Sequence, residues 1–86
     1  MNPKDETAEK ITSEIRDGVY QSYLISSTGL DPMIISKICD TLEIKGLIVR
    51  KQTSRTEENS FRIKPANLAD FDLMTELISK LLTDQQ

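Results

Sequence analysis

Apolar residues recur at helical spacing in the first half of the chain. Ala8, Ile11 and Ile15 share one stripe and predict a helix over 7–17, stopped by Gly18. A shorter helix is predicted over 20–27, with Tyr20, Tyr23 and Leu24 facing inward and Thr28 and Gly29 ending it. The third helix carries the clearest signals. Ile35, Ile38, Cys39 and Leu42 fall at i, i+3, i+4 and i+7. Asp31 before them suits an N-cap, where its carboxylate accepts from first-turn amides, and Pro32 suits the first helical position, which needs no donor. Gly46 closes this helix as a C′ glycine.

Beyond Gly46 the period changes. Residues 47–51 are apolar and β-branched and then basic, while residues 60–64 alternate Phe61 and Ile63 with Arg62 and Lys64. Two antiparallel strands are expected, joined by a polar loop over 52–59 that is long for a hairpin. Pro65 ends the second strand. Asn67 and Asp70 resemble a capping pair for a last helix reaching about residue 83. Its apolar residues form a band too wide for a helix with one neighbour, so a second copy is expected to cover Phe71, Met74, Leu77, Ile78 and Leu81.

Helix, helix, capped helix, strand, loop, strand is the order of a winged helix-turn-helix. The expectation is a single mostly helical α+β domain over residues 1–86. Its core for binding DNA spans 7–64, with a two-stranded wing, and its C-terminal dimerisation helix spans 66–83. An α-helix fits the major groove of duplex DNA, the helix before it braces the backbone, and a basic hairpin reaches nearby phosphates. On that reading Met33, Ser36, Lys37 and Thr41 contact bases or phosphates from the third helix, and Arg50, Lys51, Arg55 and Arg62 act from the wing, with Lys64 beside them. A tyrosine or Gln21 at the start of the second helix is a further candidate for a phosphate.

Residues 29–51, GLDPMIISKICDTLEIKGLIVRK, resemble the recognition helix and following strand of MarR-type transcriptional regulators. The shared pattern is an Asp-Pro start (Asp31, Pro32), Leu-Glu near the helix end (Leu42, Glu43), then Gly-Leu (Gly46, Leu47) and a basic pair (Arg50, Lys51). The resemblance implies a homodimer on double-stranded DNA with the third helix in the major groove. The chain is short for that family and is expected to lack much of its N-terminal dimerisation element. Where the family wing carries an Asp and Arg signature, this chain reads Glu57, Glu58, Asn59, which leaves wing contact to Arg55 or Arg62.

Composition narrows the chemistry. Among 86 residues there are one cysteine and no histidine, which excludes an internal disulfide and any thiol–imidazole pair and leaves no usual zinc set. No enzyme, metal or cofactor is expected, and Cys39 reads as a small buried hydrophobe. No apolar run suits a signal peptide or a membrane span, so a cytoplasmic protein is expected. The net charge of −3 conceals a pattern. Residues 37–64 hold seven cations against four acids, whereas three cations meet six acids before them and one meets four after them. A basic middle between acidic flanks fits phosphate binding. The competing reading is a winged helix used for protein assembly, with Met33, Ile34 and the last helix as contacts and the basic hairpin merely solvated.

Overall fold

The computed structural model describes residues 3–53, 56 and 60–84. Seven elements follow one another: α1 (Pro3–Asp17), β1 (Val19–Tyr20), α2 (Gln21–Thr28), α3 (Pro32–Ile44), β2 (Ile48–Gln52), β3 (Phe61–Pro65) and α4 (Phe71–Asp84). The strands form one antiparallel sheet in the order β1-β3-β2. This is the small α+β winged-helix fold that the order of elements predicts.

The element not foreseen is β1. Its two residues pair with β3, Val19 with Ile63 and Tyr20 with Arg62, and two residues are too few to show a period. Placing Tyr20 in a strand shifts the start of α2 by one residue and rotates its inward face. Gln21 and Leu24 are buried, while Tyr20 and Tyr23, expected inside, are 43% and 55% exposed. At the other end of the sheet Pro65 pairs with Ile48 rather than lying beyond the strand.

Local chemistry fixes both ends of α3. The Asp31 carboxylate accepts from the Met33 amide at 2.8 Å, and Gly46 adopts a left-handed φ of 75° that a side chain would strain. The Leu47 amide then donates to the Leu42 carbonyl, and the Gly46 amide to that of Glu43. Those two bonds make a Schellman motif, and its usual apolar contact is supplied by Leu42 and Leu47, both buried. The joint turns the chain from α3 into β2 within three residues. Asp70 caps α4 in the same way as Asp31 caps α3, accepting from the Leu73 amide at 3.1 Å.

The core gathers Ala8, Ile11 and Ile15 from α1, Leu24 from α2, Ile35, Ile38, Cys39 and Leu42 from α3, and Ile48 and Ile63 from the sheet. Met74, Ile78 and Leu82 of α4 complete it. Helix α4 lies along α1, where the Thr75 hydroxyl donates to that of Thr12 at 2.8 Å and Ser79 donates to Asp5. Much of the wide apolar band is therefore covered from within the chain.

Because the Asp31 cap starts the helix that the wing hangs from, Asp31→Ala is expected to cost about 1 kcal/mol, lowering the thermal midpoint by about 4–8 °C. Circular dichroism melts of the two proteins check this, and equal midpoints would remove the cap from the account.

Candidate nucleic-acid interface

The side of α3 turned away from the core presents Met33, Lys37, Asp40 and Ile44 within about 60° of arc. All four are exposed, Met33 at 80% and Ile44 at 84%. Among the described residues Lys37 takes part in no ion pair. Its ammonium is available to a phosphate or a base edge. Thr41 lies half-buried on the flank of this strip. Ser36, on the other flank, accepts a hydrogen bond from Gln21 Nε2 at 3.2 Å.

Arg50 lies elsewhere than the sequence reading puts it. Residues 48 and 50 share the inner face of β2, and with Ile48 in the core the Arg50 side chain follows it inward until only 11% remains exposed. There Nη1 donates to Gln21 Oε1 at 3.1 Å, and Nη2 donates to Asp40 Oδ1 at 2.6 Å and Glu43 Oε1 at 2.9 Å. The guanidinium also stands 5.2 Å from the centre of the Phe61 ring. Burial works against the charge, but the hydrogen bonds to Glu43 and Asp40 outweigh it and hold the Arg50 pKa above its ordinary value. Arg50 is a cross-brace between β2, α2 and α3 and not a phosphate contact. Gln21 is corrected with it, since at 1% exposure it reaches Arg50 and Ser36 instead of a ligand.

The outer face of the sheet carries the remaining wing cations. Lys51 pairs across the ladder with Arg62, and Val49 with Lys64. Lys51 and Lys64 are exposed, while Arg62 is half-buried with its guanidinium 5.4 Å from the centre of the Tyr20 ring. The ladder bond from the Thr53 amide to the Ser60 carbonyl continues the hairpin past Gln52. Arg55 lies outside the described residues, as do Glu57, Glu58 and Asn59.

Of the residues expected at a dimer interface, Met74 and Ile78 lie in the chain's own core with no exposure. They are taken up there because α1 and α3 both face that side of α4. Phe71, Leu77 and Leu81 are half-buried at its margin, and the Arg16 guanidinium covers the Phe71 ring at 4.4 Å. Leu73, 39% exposed, extends the margin into a row with Leu77 and Leu81.

Residues 6–69 match the model of a protein family described as the B-block binding subunit of TFIIIC, a family of winged-helix DNA-binding domains. The chain belongs to this family. The B-block match takes in α1 to β3 and every residue of the α3 strip, and it ends before α4. Family membership points to a domain that binds DNA and not to a catalyst. No curated protein and no solved structure matches the chain. Among the described residues no helix is long and apolar enough to cross a membrane.

Cys39 sits on the core side of α3, fully buried, and takes no part in the exposed strip. Burial pushes its thiol up to about 12; the nearby charge of Arg50 opposes the rise, and the carboxylates of Asp40 and Glu43 add to it. Above the ordinary thiol value of 9.0 the unfolded chain loses this proton and the folded one keeps it, so stability falls as the pH rises from about 9 towards 12. The fall approaches about 1.4 kcal/mol per pH unit. Denaturant titrations across that range should show a shallower decline in Cys39→Ala than in the unmodified protein, and identical declines would mean that the thiol ionises in place.

Proposed function

We propose that the chain is a sequence-specific transcriptional regulator that lays α3 in the major groove of duplex DNA and sets the β2–β3 hairpin against the neighbouring backbone. What carries the reading is the α3 strip: a helix capped at both ends and braced by Arg50, with Lys37 exposed on it and, among the described residues, in no ion pair. Membership of the B-block family supports it, as does the likeness of residues 29–51 to MarR-type regulators. Met33 offers an apolar contact for a thymine methyl, Thr41 a hydroxyl, and Lys51, Arg62 and Lys64 the sequence-independent attraction to phosphates. Residues 1–86 act as one unit in a cytoplasmic or nuclear setting.

The dimer of this proposal runs along the row Leu73, Leu77 and Leu81, since Met74 and Ile78 are already used. Two copies related by a two-fold axis would place two α3 helices on half-sites about 34–36 Å apart or a multiple of that.

A second reading has its own observation. Met33 and Ile44, at 80% and 84% exposure, stand at the two ends of the α3 strip, as they would at a contact with another protein. Salt separates the two readings, because a surface that releases counterions from DNA loses affinity steeply between low and moderate salt. Lys37→Glu is expected to abolish specific duplex binding while the cooperative melt is kept, as residue 37 is exposed. Undiminished affinity in that variant would take α3 out of the groove and favour the assembly module.

For the dimer, sedimentation at micromolar concentration is expected to show two copies together, and Leu73→Glu a folded monomer. A monomeric unmodified protein would end the dimer and leave DNA binding standing.

A further inference from the structure

On the reading that α3 enters the major groove, we propose that Asp40 is a base-reading residue that selects cytosine, with Arg50 as the group that positions it.

Asp40 lies at one edge of the exposed strip, about 60° round the helix from Lys37 and between it and Ile44 along the axis, and its side chain is 60% exposed. A carboxylate in that place meets two obstacles, repulsion from the phosphates and the freedom of its own rotamer. Arg50 removes both. Its guanidinium holds Asp40 Oδ1 at 2.6 Å and Glu43 at 2.9 Å, offsetting part of their charge from the protein side. Arg50 is itself held by Gln21 at 3.1 Å, so the carboxylate is tied to a brace and not to another mobile surface chain. Among the described residues Asp40 Oδ2 has no partner. One oxygen is fixed to the fold, and the other is left for a ligand on a side chain that is mostly exposed.

The chemistry of that second oxygen limits what it selects. An ionised carboxylate accepts and never donates. In the major groove the donors are the amino groups of cytosine and adenine. Adenine sets the N7 acceptor beside its amino group, and that lone pair opposes a carboxylate; cytosine shows N4 with no acceptor next to it on its own edge. Cytosine is the base that fits. Lys37, one turn away, suits guanine O6 and N7 on a neighbouring pair.

The test is selection from a random duplex library by the unmodified protein, by Asp40→Asn and by Asp40→Ala. The unmodified protein is expected to enrich cytosine at one position of each site, about tenfold over the other bases. Asp40→Asn, which keeps an oxygen for Arg50 and adds the donor that adenine N7 accepts, is expected to move that position to adenine and leave the others unchanged. Asp40→Ala is expected to lose the preference there. A single cooperative melt, whatever its midpoint, certifies the fold of each variant, and a salt bridge that served stability alone would shift Tm without shifting base preference. If the three proteins select the same sequence, or all positions weaken together, Asp40 reads no base and the proposal is overturned while α3 stays in the groove. If the unmodified protein enriches no duplex at any salt, the groove reading has failed and takes this inference with it.

Discussion

The Arg50 guanidinium decides how the wing sits against the helix before it. It bonds to α2 through Gln21 and to α3 through Asp40 and Glu43, and it faces the Phe61 ring of β3, while its own backbone lies in β2. A planar fork of donors can serve three acceptors in fixed directions, which the point charge of a lysine cannot do. Taking the cation out of water is costly, and two charge-assisted hydrogen bonds offset that cost. The strand β2 and the helices α2 and α3 are thereby tied together. Without Arg50, the Schellman turn at Gly46, the pairing of β1 with β3 and the burial of Ile48 and Ile63 would still place the hairpin, but β2 would lose its polar tie to α2 and α3.

Features that rest on neighbours in sequence were legible before the structure. The Asp31 and Pro32 start of α3, its apolar stripe and its Gly46 end depend on bonds spanning five residues or fewer, so the chemistry that makes them is written side by side. Arg50 was misread because its partners are seven, ten and twenty-nine residues away, and a basic residue on a wing strand looks like a phosphate contact until its face is known. The parity of the strand did hold a clue, for if Ile48 is inside then residue 50 is as well. Gln21 was harder to see. Its burial follows from β1, whose two residues carry no period of their own.

The last helix shows a different limit of pattern reading. Its apolar residues come as adjacent doublets, Leu73 and Met74, Leu77 and Ile78, Leu81 and Leu82, and adjacent positions lie 100° apart on a helix. The second member of each doublet enters the core, and the first stays at the margin or beyond it. Counting both members made the band look too broad for the domain to cover. The family match ends at residue 69, yet Met74, Ile78 and Leu82 close the core that the matched residues build. In this chain α4 is thus a structural part of the winged helix first, and whatever it offers a second copy is its residual edge.

An acidic chain can approach DNA if its acids and cations are kept apart. Along α1 and α4 the acids Asp5, Glu9, Asp70, Asp72, Glu76 and Asp84 outnumber Arg16 and Lys80, whereas Lys51, Arg62 and Lys64 stand on the hairpin. The body measures 38 × 28 × 20 Å, several times the Debye length of about 8 Å at physiological salt. Charges further apart than that length are largely screened from one another, so the net charge of −3 is a poor guide to what the hairpin meets. On α3 the balance is finer, since Arg50 offsets one of the two negative charges of Asp40 and Glu43 and Lys37 stands against the other, so the strip is close to neutral and not acidic. The same brace that ties the wing to α2 and α3 therefore also lowers the negative charge that the helix would otherwise present.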